Sequence, residues 1–161
     1  DVDAVDIVNE KWKNEKRIKL LYFNECPLFT GALRQRAIDV ATGDAICNLD
    51  ADDVFKSHHL RNIALTFDPN KYDWAYFNLY RKMDVLRDYP PEVIDTKPEL
   101  DSLCTASVVW KNGLAVTWNG CDGRRDNKAF NKQLLEKYQN KIKIYGCGYE
   151  IRHAVITLPK K

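Results

Sequence analysis

The sequence predicts an α/β fold around a mostly parallel sheet, and three observations lead to this prediction. Between residues 17 and 67, short apolar runs typical of strands alternate with longer helical patterns. An acidic cluster directly follows one of these runs, at the end of a strand where parallel sheets commonly bind ligands. The chain has 161 residues, of which 45% are hydrophobic, and this is enough to form the core of one domain.

The first half of the chain is predicted to contain three helices and two strands. They are a helix at about 3–15, a strand at 17–23, a helix at 30–43, a strand at 44–49 and a helix at 57–67. Thr30 and Ser57 are suited to cap the second and third helices, because a side-chain hydroxyl can accept a hydrogen bond from a free backbone N–H. Gly43 is suited to end the second helix.

The second half is predicted to be richer in strands. Strands are expected at 73–83, 105–110, 114–118, 141–145 and 149–156, with a helix at 127–139. The Lys111-Asn112-Gly113 stretch predicts a turn between two of these strands. Residues 84–104 contain three prolines and are expected to be mostly irregular.

Composition excludes several classes of protein. The net charge of +2 provides no general basic footprint for nucleic acid, and no apolar run approaches the roughly 20 residues of a membrane span. Five cysteines without CxxC spacing argue against a disulfide framework and for a reducing compartment. The sequence therefore favours a cytoplasmic protein, with peripheral attachment to a membrane left open.

The stretch "LDADD" places Asp50, Asp52 and Asp53 at the end of the strand predicted at 44–49. Side chains alternate along a strand, so Asp50 and Asp52 are expected on one side. Two such carboxylates suit Mg²⁺ or Mn²⁺ shared with a diphosphate, because the cation removes their mutual repulsion. A solvated acidic turn that caps the next helix is the alternative, and Asp53 is expected to do no more than this.

The segment "GALRQRAIDVATGDAICNLDADD", residues 31–53, resembles the central motif of family 2 glycosyltransferases with the GT-A fold. In that motif a helix with an Ala-Arg-Asn pattern is followed by "ATG", a strand and Asp-x-Asp. Arg34 matches the arginine, whereas Gln35 and Ala37 depart from the usual Asn and Gly. A weaker resemblance extends over about residues 3–155.

The resemblance implies a single domain, 1–161, that transfers a sugar from a UDP- or GDP-sugar to a carbohydrate or glycan acceptor, with inversion. Residues 1–70 would form the part that binds the sugar donor and metal, and residues 71–161 the acceptor part. Asp50 and Asp52 would bind Mn²⁺ or Mg²⁺, and Asp50 would also face the ribose of the sugar donor. Arg34 would lie near the sugar donor, with an exposed surface charge as the alternative.

The resemblance also implies candidates for the base, a third metal ligand and an acceptor contact. Asp126 fits the carboxylate that takes the acceptor's proton, although Arg125 stands where Glu is usual, and Asp122 is the reserve. A plain helix N-cap is the alternative for Asp126. His153, in "YEIRHAVITL", fits a histidine that reaches the metal. Trp118 is the expected acceptor contact, with a place in the core as the alternative. His58 and His59 follow the acidic cluster and are expected to be exposed.

The front of the chain departs from the resemblance, since the first β-α-β segment of the family has no counterpart before the helix at about 3–15. Two alternatives are left open by this departure and by the shortness of the Asp-x-Asp motif. One is a phosphatase-like hydrolase with Asp50 as nucleophile and Asp52 as acid/base. The other is a non-catalytic relative that binds nucleotide or carbohydrate.

Overall fold

A computed structural model describes residues 2–22, 30–82, 91–118 and 126–152. Within these ranges the helices are α1 (Val2–Lys11), α2 (Thr30–Asp39), α3 (His59–Thr66) and α4 (Asp126–Lys137), with a 3-10 turn at Thr105–Ser107. The strands are β1 (Ala45–Cys47), β2 (Val54–Phe55), β3 (Trp74–Arg81), β4 (Glu92–Ile94), β5 (Val108–Lys111) and β6 (Lys141–Ile151).

The described strands form one mixed sheet in the order β1-β5-β3-β6-β2, with β4 paired to β3. Only the β3–β6 pair is parallel, and the other four pairs are antiparallel. The prediction of an α/β fold is confirmed, but the prediction of a mostly parallel sheet is wrong. The reason is that β5 runs between β1 and β3 in the opposite direction, so the two strands share a direction without pairing.

Alternate residues of β3 face two different cores, as the period of a strand requires. Ala75, Phe77 and Leu79 pack in one cluster with Ile63 and Phe67 from α3 and its end. Trp74 packs on the opposite face, in a second cluster with Phe130 and Leu134 of α4. The sheet is therefore covered by α3 on one face and by α4 on the other.

The final strand differs from the prediction of two separate strands at 141–145 and 149–156. β6 is one described strand, and its register against β3 shifts from Phe77↔Ile144 to Leu79↔Tyr149. Residues 145–148 of β6 therefore lie opposite a single residue of β3, Asn78. This four-residue segment is a β-bulge with extra residues. The glycines of this segment mark the bulge and not a break between strands.

The strand predicted at 114–118 is absent from the described structure, and side-chain amides explain its absence. The Thr117 N–H donates to Gln133 Oε1 at 3.1 Å, and the Trp118 N–H donates to Gln35 Oε1 at 2.8 Å. These amides satisfy the backbone groups that a neighbouring strand would otherwise satisfy. The segment consequently follows α2 and α4 instead of joining the sheet.

Two other local predictions are also wrong. Residues 17–22 of the strand predicted at 17–23 form no strand, and residue 23 lies outside the described ranges. The N-cap of α3 is His58 and not Ser57, and His58 makes no side-chain capping hydrogen bond.

The two cysteines whose side chains are described in detail, Cys47 and Cys104, are free thiols. Burial raises the pKa of Cys47 to about 11, and burial also raises the pKa of Cys104. A thiol must ionise to act as a nucleophile, so this environment disfavours thiol catalysis at either residue.

Candidate active site

A cleft of about 220 Å³ lies where the loop after β1 meets the 3-10 turn, the start of α4 and the end of β6. We call it the acid cleft, and we call residues 48–53 the acidic loop. The lining includes Asp50, Asp52, Asp53, Thr105, Asn127 and Arg152. The sequence-predicted carboxylates therefore lie at the carboxyl end of a strand, in a concave site.

Arg34 connects three elements at this cleft. Its Nη2 donates to Asp50 Oδ1 at 2.6 Å, and its Nη1 donates to Asn127 Oδ1 at 3.0 Å. The guanidinium carbon lies 4.9 Å from the ring centroid of Trp118. The Arg34 side chain is only 16% exposed, so the alternative of a surface charge on an amphipathic helix is wrong.

Asn127 was not predicted as a site residue, but it is central to the contacts of the cleft. Its Oδ1 accepts hydrogen bonds from Arg34 and, at 3.0 Å, from the Thr105 hydroxyl. Asn127 is adjacent in sequence to Asp126, the predicted base. Its partners lie 93 and 22 residues away along the chain, so local spacing gives no signal for this role.

Asp53 anchors the acidic loop and does not cap α3. Its Oδ2 accepts a hydrogen bond from the Tyr149 hydroxyl at 2.8 Å, and its Oδ1 accepts one from the Arg152 N–H at 2.8 Å. The Tyr149 hydroxyl oxygen also accepts a hydrogen bond from the Asp50 N–H at 3.3 Å. Two points of the acidic loop are thus held by one buried tyrosine of β6.

Burial raises the pKa of Asp53, and the negative charges of Asp52 and Asp50 raise it further, while its bonds from Arg152 and Tyr149 lower it. Burial also raises the pKa of Tyr149, so its hydroxyl is a neutral hydrogen-bond donor toward Asp53. Asp50 and Asp52 are therefore close enough for their charges to act on Asp53.

The donor set fits a hard divalent cation shared with a diphosphate. Within the described ranges no three His, Cys, Asp or Glu side chains converge as a complete metal site. Asp50 is 41% exposed and Asp52 is exposed at the same cleft, so two carboxylates are accessible there. One or two carboxylates completed by phosphate oxygens are a common arrangement for Mg²⁺.

The remaining predicted site residues differ in how much of each the structure describes. Asp126 begins α4, next to Asn127, but its side chain is outside the described part of the structure. Asp122 and His153 lie outside the described residues altogether. Their roles as base, reserve base and metal ligand stay predictions.

Trp118 was predicted to contact the acceptor, and its ring is buried. The side chain is 2% exposed and stacks on Phe130, with 4.5 Å between ring centroids and 10° between planes. Arg34 lies over the same indole. The ring offers no open face to a sugar here, because α4 packs against it, and the role of acceptor contact stays an untested prediction.

The two histidines after the acidic cluster differ in exposure. His58 is exposed as expected, but His59 is fully buried among aromatic rings, with 4.3 Å to the centroid of Phe55 and 4.9 Å to that of Phe77. Its Nδ1 accepts a hydrogen bond from the Gly148 N–H at 3.1 Å. Burial, together with the charge of His58, lowers the pKa of His59 to about 4.

Comparison with known proteins agrees with this geometry. The family model described as glycosyl transferase family 2 matches residues 3–107, which is more than half of the chain. The chain belongs to glycosyl transferase family 2. The predictions of this family and of its GT-A fold are confirmed, with the sheet mixed as described above. Asp50 and Asp52 lie within the match, whereas Asp122, Asp126 and His153 lie beyond its end.

A similar curated protein is "Uncharacterized glycosyltransferase MJ1057" of Methanocaldococcus jannaschii. It is 31% identical to this chain over 94 residues, which is 55% of the chain. The match spans 32% of the length of that protein, so the chain corresponds to about a third of it.

Family membership also bears on the alternatives. The phosphatase-like hydrolase is not favoured, because the stretch that carries Asp50 and Asp52 lies within the glycosyltransferase match. No helix in the part of the chain that the structure describes is both long and apolar enough to span a membrane.

Proposed function

We propose that the acid cleft transfers a sugar from a UDP- or GDP-sugar to a hydroxyl group of a carbohydrate or glycan acceptor, with inversion at the anomeric carbon. One observation carries the proposal: Arg34 joins Asp50 to Asn127, and so brings α2, the acidic loop and the start of α4 together. The family to which the chain belongs supports transfer from a nucleotide sugar.

Asp50 and Asp52 would hold Mn²⁺ or Mg²⁺, with His153 as the predicted third ligand. When bound, the cation would supply a Lewis acid at the diphosphate. The oxygen chemistry and the accessibility of both carboxylates support this assignment.

Arg34 would orient the acidic loop and contribute positive charge beside the sugar donor's diphosphate. Its two bonds fix the guanidinium, and its stacking over Trp118 leaves it largely out of water. A cation held in a poorly hydrated place interacts more strongly with phosphate than one in bulk water.

Asp126, or Asp122 in its place, would take the proton of the acceptor hydroxyl. The acceptor oxygen then forms a bond to the anomeric carbon as the bond to the diphosphate oxygen breaks, and that electron pair leaves with the nucleoside diphosphate. The placement of Asp126 at the start of α4, one residue before Asn127, supports this role.

Calorimetric titration with UDP and GDP, with and without Mn²⁺, tests the site. Asp52→Asn should remove the Mn²⁺-dependent part of the binding, because it deletes one of two accessible charges. Asp44→Asn is the matched control, since Asp44 is exposed at the opposite end of β1. Equal Mn²⁺-dependent binding in all three proteins would contradict the proposal.

Turnover separates an enzyme from a non-catalytic relative. Wild-type protein should release nucleoside diphosphate from a UDP- or GDP-sugar in the presence of an acceptor. Asp126→Asn should bind the sugar donor normally and lose transfer. Binding of nucleoside diphosphate without turnover by the wild type would favour the non-catalytic alternative.

A further inference from the structure

A second cavity, of about 300 Å³, lies beside the β-bulge of β6 and shares no lining residue with the acid cleft. We call it the bulge cavity. Its polar and aromatic lining consists of Lys56, His58, Asn78, Tyr80 and Tyr145. Nothing derived above gives this cavity a role.

The bulge has a fixed shape. Residues 145–148 lie opposite Asn78 alone, and Gly146 adopts a φ of 70°, a left-handed conformation that other residues rarely adopt. The Asn62 side chain fixes this glycine, because its Nδ2 donates to Gly146 O at 2.6 Å. A side chain of α3 therefore holds the bulge of β6 in place.

Gly148 is held just as closely. Its carbonyl accepts a hydrogen bond from the Lys56 N–H at 2.7 Å, and its N–H donates to His59 Nδ1 at 3.1 Å. A Cβ at this position would lie 2.7 Å from Lys56 Cβ, so a side chain there would force the start of the Lys56 side chain to shift. Bulges of this kind often redirect a side chain beside a functional site.

Tyr145, the first residue of the bulge, is 78% exposed and lines the cavity. Tyr80 forms another wall, with Lys56 Nζ 4.2 Å from its ring centroid. A large aromatic ring that a rigid backbone holds in water presents apolar surface at little cost in conformational entropy.

The charges around the cavity argue against an anionic ligand. Lys56 pairs with Glu150 at 3.5 Å, and Lys143, whose Nζ lies 5.8 Å from the Tyr145 ring centroid, pairs with Asp95 at 2.8 Å. Both lysines near the rim thus have acidic partners. An aromatic surface whose neighbouring lysines have acidic partners suits an uncharged polyhydroxylated ring.

We propose that the bulge cavity binds a neutral pyranose ring of a glycan, with Tyr145 stacking on the sugar and with His58 as a hydrogen-bonding group. This site is separate from the acid cleft and does not depend on the proposed transfer activity.

Saturation-transfer NMR and amide chemical-shift titration with maltotetraose, cellotetraose and N-acetylchitotetraose test the proposal. At least one saccharide should bind and shift amides of β6 around the bulge. Tyr145→Ala should weaken this binding about tenfold, the size expected from losing one good stacking contact, whereas Tyr145→Phe should stay within about twofold. Leu65→Ala is the control, because Leu65 is a 75% exposed apolar residue of α3 outside the cavity lining.

Two results would overturn the proposal: no binding by any of the three saccharides, or binding that Tyr145→Ala leaves unchanged. Asp52→Asn separates this site from the acid cleft and should not alter saccharide binding. A saccharide that loses affinity in Asp52→Asn and keeps it in Tyr145→Ala occupies the acid cleft, and this result also counts against the bulge cavity.

Discussion

Replacing Tyr149 by phenylalanine tests whether β6 holds the acidic loop in position. The Tyr149 hydroxyl donates to the Asp53 carboxylate at 2.8 Å and accepts from the Asp50 N–H at 3.3 Å, and the residue is fully buried. Phenylalanine keeps the ring and its edge contact with Phe55, whose centroid lies 5.4 Å away. The substitution therefore removes two hydrogen bonds and little packing.

The expected loss follows from the nature of these two bonds. A hydrogen bond to a charged group contributes about 1.5–3 kcal/mol, and a long neutral bond contributes about 0.5 kcal/mol. Asp53 keeps its bond from the Arg152 N–H and is partly accessible to water, which reduces the loss. We expect the free energy of unfolding to fall by about 2 kcal/mol, or the midpoint temperature by about 4–8 °C.

Urea unfolding followed by circular dichroism measures this loss, and Mn²⁺-dependent nucleotide titration measures its effect on the site. Both stability and Mn²⁺-dependent affinity should decrease in Tyr149→Phe. Tyr138→Phe is the matched control, since the Tyr138 hydroxyl accepts from the Ala115 N–H at 2.8 Å and neither residue lines the cleft. The control should lose some stability and keep its nucleotide affinity.

The reasoning is refuted if Tyr149→Phe unfolds within about 0.5 kcal/mol of the wild type and binds nucleotide equally well. A stability loss with unchanged affinity would show that Tyr149 stabilises the fold without positioning the acidic loop.

Two further predictions concern buried charge. The pKa of His59 is about 4 when folded and 6.5 in its unperturbed state, so the unfolded chain binds the proton more tightly. Stability should fall as pH decreases from 6.5 toward 4, by up to about 3 kcal/mol from this group. His59→Gln should show a shallower pH dependence in urea unfolding, and parallel curves would contradict the prediction. Arg34→Lys should destabilise by about 1–2 kcal/mol, because lysine cannot bridge Asp50 and Asn127 with a planar fork. The exposed Arg36→Lys on the same helix should change stability by less than about 0.5 kcal/mol, and equal losses would refute the bridging role.

Short-range patterns were sufficient to predict where the carboxylates lie, but not what they contact. An apolar run that ends in Asp-x-Asp places Asp50 and Asp52 at the end of a strand, and this depends only on neighbouring residues. The contacts of Asp53 with Tyr149 and Arg152 join residues about a hundred positions apart. Such pairings depend on sheet order and register, which alternation of apolar residues does not determine.

The wrong strand predictions have a similar cause. Residues 114–118 have the composition of a strand, but Gln35 and Gln133 supply the hydrogen bonds that a strand partner would supply. The burial of His59 was missed because a histidine beside an acidic cluster resembles a surface residue. Its burial depends on Phe55 and Phe77, which reach it from two different strands.

The contacts of the acidic loop bear on why three carboxylates are tolerated together. Asp53 accepts hydrogen bonds from two neutral groups, the Tyr149 hydroxyl and the Arg152 backbone N–H. Asp50 is paired with Arg34, but no described side chain pairs with Asp52. Arg34 pairs with Asp50, whereas the Arg152 side chain pairs with Glu150, so the three carboxylates leave an excess of negative charge at an open cleft. A purely structural cluster would be more stable if Asp52 were a neutral residue, because like charges repel one another. The proposal of a cation at this cleft accounts for an accessible Asp52 beside the held Asp50 and Asp53, and the Asp52→Asn titration tests it directly.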